Sequence, residues 1–266
     1  MSEGRFVDAA IRRRIGDALD AIEREHAVRI LVAVESGSRA WRFPSVDSDY
    51  DVRFVYVHPA GAYLAVEPPR DVIERPVDAL LDVGGWDLRK ALRLALRTNA
   101  PLLEWLASPV RYRSDAAAEA ALASLARAAC RLPALAYHYD RQARRSWEEI
   151  RSAGAAVRLK AYCYALRSAL ALLWLRERAA PPPMDLPALL QGTRLPPAAG
   201  AAIAALVTRK AAATERELGP RDAALDGLLE TILAEPAPRV APAAPDPALA
   251  ARADALLAAL AGWPGR

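Results

Sequence analysis

The sequence is short of several things at once. Only two cysteines occur, Cys130 and Cys163, each in an apolar helical context and without metal-type or CxxC spacing. That excludes a disulfide framework and leaves both as small buried hydrophobes. The three histidines, His26, His58 and His138, stand apart from one another and from the cysteines, so no zinc set forms. No stretch reaches the ~18 uncharged apolar residues of a membrane span. The apolar run ALALLWL at 169–175 is bracketed by Arg167 and Arg176. The opening residues MSEGRFVDAAIRRR carry charge throughout and lack the apolar core of a signal peptide. These absences predict a cytoplasmic protein without a membrane partner.

Lysine is scarce too: Lys90, Lys160 and Lys210 are all there is. The positive balance, +4 with a pI near 9.3, therefore comes from arginine. Such a balance suits a polyanionic ligand such as nucleotide or nucleic acid without demanding one.

Hydrophobic spacing divides the 266 residues into a mixed first part and a helical second part. Residues 5–26 read as an amphipathic helix, 28–36 as a buried strand, 37–48 as a turn-rich loop and 50–57 as a strand dense in β-branched and aromatic residues. A connection (58–69) leads to a strand pair, 70–75 and about 80–86, around Pro76. From Asp87 the period becomes helical through Asn99, and PLLEWLAS forms a further short helix. Beyond about residue 112 no strand pattern appears. Helices are expected over 114–130, 133–153, 155–179, 185–191, 196–217 and 220–233, separated by Pro and Gly breaks. A Pro/Ala-rich linker (235–247) precedes a last helix, 248–261. The predicted organisation is an α+β domain with a small mixed sheet (1–112), a helical domain (113–234), and a linker with a C-terminal helix (235–266).

The chemistry concentrates in VAVESGSRAWRFPSVDSDYDVRFVYV, residues 32–57. A buried strand ends at Gly37-Ser38, and a second strand opens with Asp49-Tyr50-Asp51. Residues two apart on a strand share a face, so the two carboxylates converge. Close carboxylates repel, and a hard, oxygen-ligated cation such as Mg²⁺ or Mn²⁺ makes the arrangement tolerable. Two such ions can activate a hydroxyl and stabilise a leaving pyrophosphate. Gly37 lets the backbone approach phosphates, the Ser38 hydroxyl can donate to them, and Arg39 and Arg42 can add charge-assisted contacts. A bare Asp-x-Asp is commonly a solvated turn. Here it opens a strand a short loop after a Gly-Ser that closes another, and that context favours a site.

The stretch GSRAW-x-FPSVDSDYDVRF resembles the signature of the DNA polymerase beta nucleotidyltransferase superfamily, and in particular a bacterial branch of predicted nucleotidyltransferases of an RNA repair pathway. The resemblance runs on through 84–112, 157–175 and 181–190, covering most of residues 28–190. It implies a polymerase beta-like fold and transfer of a nucleoside monophosphate from an NTP such as ATP, with Mg²⁺ and with RNA as a candidate acceptor. It also implies a third carboxylate between hydrophobic residues on a neighbouring strand. Asp87 in Trp86-Asp87-Leu88 is the preferred candidate, and Asp82 in Leu81-Asp82-Val83 the alternative. Asp87 equally suits a helix N-cap. One departure is visible: the branch has Gly where this chain has Arg42.

Further candidates lie on helices. Lys90, three residues after Asp87, suits either a phosphate contact or a solvated helix position. Lys160, Tyr164 and Arg167 share a helical face by their spacings of four and three, and such a face suits a base and triphosphate. The bland alternative is an amphipathic helix with tyrosines in the core. Two function classes remain at this point: a metal-dependent nucleotidyltransferase, and a catalytically silent nucleotide- or RNA-binding regulator or antitoxin-like protein on the same scaffold.

Overall fold

The computed structural model describes residues 7–76, 78, 80–241 and 244–262. Residues 5 and 6 of the predicted first helix, 242 and 243 of the linker, and 263–266 of the C-terminal segment lie outside the described residues. The elements run α1 (Ala9–His26), β1 (Arg29–Glu35), α2 (Gly37–Ala40), β2 (Tyr50–Val57), α3 (Ala60–Tyr63), β3 (Val72–Pro76), β4 (Leu81–Asp87), α4 (Leu88–Leu96), α5 (Ala100–Ala107), β5 (Arg111–Ser114) and α6 (Ala116–Ala128). They continue with α7 (Leu132–Ser152), β6 (Ala156–Arg158), α8 (Leu159–Arg178), α9 (Leu186–Gly192), α10 (Pro197–Ala212), β7 (Leu218–Pro220), α11 (Ala223–Leu233) and α12 (Pro247–Ala261). The class is mixed α+β with a helical C-terminal part.

Two compact units result. The first holds the chain up to Arg39, Asp49–Cys130 and the stretch carrying α12. Its five-stranded sheet has the order β3-β4-β2-β1-β5, with β2 and β4 parallel and every other pair antiparallel. Strand β2 alternates as its sequence requires. Tyr50, Val52, Phe54 and Tyr56 enter a core with Ile15, Leu19 and Ile22 of α1. Val55 and Val57 enter a second core, built with Leu88 and Leu92 of α4, Leu102 of α5, Leu122 and Leu125 of α6, and Ala253 of α12. Helix α1 thus covers one face of the sheet, α4, α5 and α6 cover the other, and α12 packs on α4 and α6. Strand β1 is buried along almost its whole length, which is why it reads as a continuous apolar run rather than an alternating one.

The second unit comprises Ala40–Ser48 and Arg131–Ala241. Helix α8 is its axis, with residues on all sides of the helix buried, from Leu159 to Leu175. Helices α7, α9, α10 and α11 pack around it. The loop 40–48 belongs here: the Leu186 amide donates to the Trp41 carbonyl, and the Val46 amide to the Ala213 carbonyl.

Several expectations need correction. Strand β5 joins the sheet edge beside β1, and β6 pairs with β7. Strands of three or four residues are too short to show a period, and backbone hydrogen bonding alone defines them. The helix expected over 155–179 begins at Leu159, and that expected over 196–217 ends at Ala212. Helices α6 and α12 belong to the first unit, so the units do not divide at residue 112. Among the described residues no helix is long and apolar enough to cross a membrane.

Candidate functional site

The site forms where β1 ends and β2 begins. The parallel register of β2 and β4 sets Asp51 beside Asp82 on the same pleat. Arg53, two residues beyond Asp51 and so on the same face, reaches across to both. Its Nη2 donates to Asp51 Oδ1 (3.0 Å) and to Asp82 Oδ2 (2.6 Å), while Nη1 donates to the carbonyls of Val52 and Asp82, each at 3.1 Å. The guanidinium thus supplies the counter-charge for two adjacent carboxylates. Asp49, just before the strand, is exposed, and its carbonyl accepts from Arg39 Nε at 2.9 Å. The Arg39 guanidinium also lies 3.8 Å from the Tyr50 ring centre. Arg39 therefore clasps the segment carrying the carboxylates, by a hydrogen bond and a cation–π contact.

Gly37 and Ser38 open the short helical turn α2 directly opposite. Gly37 has φ +58, in the left-handed region. A Cβ built on it would stand 2.9 Å from Asp51 Cγ and collide with the carboxylate oxygen. Conformation and space both demand glycine here. Gly37 thus brings the turn against Asp51.

Beneath lies Glu35, with no exposed surface. Its Oε1 accepts the Asp51 amide at 3.0 Å, and Oε2 accepts the Tyr112 hydroxyl. Its carbonyl accepts the Ser108 hydroxyl at 2.6 Å. Burial, with the charge of Asp51 added, pushes the Glu35 carboxyl up to about 7 against the lowering effect of those side-chain and amide bonds.

Asp87 is not part of this group. It pairs in register with Tyr56, five residues along from Asp51, or about 16 Å at ~3.3 Å per residue. The odd spacing from Asp82 also turns it to the opposite pleat. It caps α4 instead, Oδ1 accepting the Arg89 amide at 2.7 Å, and Oδ2 accepts the Tyr63 hydroxyl at 2.8 Å. Burial raises its carboxyl above the ordinary value, against the bonds from Tyr63 and the Arg89 amide. Lys90 shares that far end and pairs with Asp71 at 3.1 Å. The expected third carboxylate and the expected phosphate contact are therefore both displaced from the site, and Asp82 takes the neighbouring position. Among the described residues no three His, Cys, Asp or Glu side chains are arranged to hold a metal ion.

The sequence profile of the RNA repair pathway DNA polymerase beta family matches residues 11–259. The chain belongs to that family. It is 42% identical over 221 residues to the uncharacterized protein YcgL of Bacillus subtilis strain 168, covering 83% of this chain and 85% of that one. A crystal structure of a nucleotidyltransferase-like protein from Exiguobacterium sibiricum 255-15 aligns over 93% of this chain and 77% of its own, with 15% identity and a TM-score of 0.31.

Family membership supports a nucleotidyltransferase of the polymerase beta type in general. The remaining candidates lie in the second unit. Arg42 has φ +68, a left-handed conformation that costs a side chain roughly 1–2 kcal/mol and a glycine little. That accounts for the glycine expected at this position. Arg167 is buried at 1% exposure; its Nε donates to the Met184 carbonyl at 3.0 Å, and its guanidinium lies 4.3 Å from the Trp41 ring. It is a core residue and not the triphosphate contact its helical spacing predicts. Tyr164 packs edge-on against Trp41 at 5.1 Å, and Lys160 pairs with Glu215 at 2.9 Å.

Other members of these networks are absent from the sequence-based candidates. Arg53 continues the Asp49, Asp51 alternation, and the same period-2 argument finds it. Lys210 and Glu215 carry no local signal. The Lys210 ammonium, 1% exposed, donates to Ser45 Oγ (2.7 Å) and Glu215 Oε1 (3.1 Å), and the Ser48 hydroxyl bonds the same carboxylate. Burial opposes ionisation of Glu215, yet bonds from Ser48, Lys160 and Lys210 hold its carboxyl down at about 2. These groups fasten the 40–48 loop within the helical unit.

Proposed function

We propose that this chain transfers a nucleoside monophosphate from an NTP to a hydroxyl acceptor, in a divalent-metal-dependent reaction that releases pyrophosphate. The observation that carries the reading is the juxtaposition of Asp51 and Asp82 in register, with the Gly37-Ser38 turn pressed against Asp51. The donor set is carboxylate oxygen throughout, the class that Mg²⁺ and Mn²⁺ take. Asp51 and Asp82, in register, are the residues that would hold the ion or ions, and Asp49, exposed just before the strand, would complete the set on binding. When bound, the metal supplies charge neutralisation at the leaving pyrophosphate and acidifies the attacking hydroxyl.

The protein's own groups do the rest. Gly37 admits the phosphate chain close to the backbone, and the Ser38 hydroxyl donates to a phosphate oxygen. The acceptor oxygen forms a bond to the α-phosphorus as the bond to the bridging oxygen breaks. A carboxylate, Asp82 in place of Asp87, takes the hydroxyl proton. Arg39 keeps Asp49 and Tyr50 in place. RNA ends are the acceptors to test first, given the family.

The test is pyrophosphate release from each NTP with Mg²⁺ or Mn²⁺ and whole-cell RNA, using α-labelled nucleotide to follow where the label lands. The unmodified protein is expected to turn over, and Asp49→Asn with Asp51→Asn to be inactive while folded. Full turnover by that double variant would rule the scheme out. The Arg53 bridge favours a second reading. With its carboxylates already neutralised by a guanidinium, the chain would bind nucleotide or RNA without reacting. Metal-independent binding with no pyrophosphate under any condition would establish that reading.

A further inference from the structure

Asp51 is held by more than its strand. Its carbonyl accepts the Ser36 amide at 2.8 Å, and its amide donates to Glu35 Oε1 at 3.0 Å. Glu35 is the last residue of β1, and the turn carrying Gly37 and Ser38 follows two residues later. One buried side chain therefore spans from the root of the phosphate-binding turn to the backbone of the central carboxylate. That side chain is itself braced. Tyr112 of β5 donates its hydroxyl to Oε2, the Glu35 amide donates to the Val110 carbonyl at 3.1 Å, and the Ser108 hydroxyl closes on the Glu35 carbonyl. Three strands thus meet on one carboxyl group, directly behind the site.

We infer that Glu35 is a positioning residue: its side chain acts as the strut that sets Asp51 at a fixed place against Gly37 and Ser38, and it takes no part in the chemistry. The inference rests on the reading of Asp51 as a metal ligand given above. The requirement is for an acceptor oxygen facing the Asp51 amide, and a neutral side chain of the same shape satisfies it. An amide at position 35 keeps that oxygen and turns its NH₂ toward the Tyr112 hydroxyl, which can accept. A leucine of similar bulk removes the acceptor that the part-buried Asp51 amide has in Glu35.

Glu35→Leu, Glu35→Gln and Tyr112→Phe separate these cases. In the full-length protein the exchange rate of the Asp51 amide, followed by ¹⁵N NMR, is expected to rise about 100-fold in Glu35→Leu, with the Phe54 amide unchanged as an internal control. Mn²⁺ titration followed by electron paramagnetic resonance should show at least about tenfold weaker binding. Turnover should fall about 100-fold in kcat, with KM for NTP within about threefold. Glu35→Gln should restore all three readouts to within about threefold of the unmodified protein. Tyr112→Phe should speed Asp51 amide exchange severalfold. Unchanged Asp51 exchange in Glu35→Leu would overturn the inference, as would a Glu35→Gln protein as impaired as Glu35→Leu. If Glu35→Leu fails to fold, the other two variants decide: fast Asp51 exchange in Glu35→Gln, with none gained in Tyr112→Phe, overturns it. Absence of Mn²⁺ binding to the unmodified protein would remove the metal reading, and the amide exchange rates would still judge the strut.

Discussion

The two ends of strand β4 hold one aspartate each, and they are unlike in every respect that matters. Asp82 is more than half exposed, lies beside Asp51 and shares Arg53 with it. Asp87 is buried, accepts the Arg89 amide and the Tyr63 hydroxyl, and begins a helix. The same residue type five positions apart serves as a solvent-facing charge at one end and as a helix cap with a structural hydrogen bond at the other. Parity decides the outcome. An odd spacing on a pleated strand sends the two side chains to opposite faces, so only one can join Asp51.

The comparison is broken most directly by activity. Asp51→Asn, at the Asp82 end, is expected to lower NTP turnover at least about 10³-fold with little change in melting temperature, whereas Asp87→Asn should retain turnover within a few fold. Equal loss in both, measured by pyrophosphate release, would erase the distinction between the two ends. A second effect concerns pH. Glu35, behind the Asp51 end, has its carboxyl raised from 4.5 to about 7, so its contribution to stability is fully present below about 4.5 and is lost as pH rises through 7. The stability of the unmodified protein relative to Glu35→Gln should therefore fall by about 3 kcal/mol between pH 4.5 and 7.5. Urea unfolding at several pH values measures this, and a difference that stays flat would contradict it. Third, Asp87→Ala removes a cap and leaves the Tyr63 hydroxyl without its acceptor. Unfolding stability should drop by about 2 kcal/mol, with KM for NTP unmoved. Smallest is Lys90→Met: loss of its exposed pair with Asp71 should change stability by less than about 1 kcal/mol and leave turnover as it was.

Local pattern made part of the site legible. Gly37, Ser38, Asp49 and Asp51 are linked by a turn and a two-residue alternation, both of which a strand–loop–strand segment displays in its sequence. The choice between Asp82 and Asp87 was not legible, because it depends on how β4 pairs with β2, a register set across about 30 residues of intervening chain. Helical spacing put Lys160, Tyr164 and Arg167 on one face. But α8 is buried on nearly all sides, so sharing a face did not mean facing solvent. Arg53 could be found by extending the alternation one step. Lys210 could not, since its partner Ser45 lies 165 residues earlier.

The seating of the 40–48 loop limits how the molecule can be divided. The polypeptide passes between its two units at 39/40, 48/49, 130/131 and 241/242, so neither corresponds to one continuous stretch of gene. A fragment ending near residue 130 would retain Trp41 and Phe43 but lose Tyr164 and Lys210, leaving two large aromatic rings without the groups that enclose them. Such a fragment should be sticky and prone to aggregate. Grafting the sheet onto another scaffold would first require replacing those nine residues with a short polar bridge.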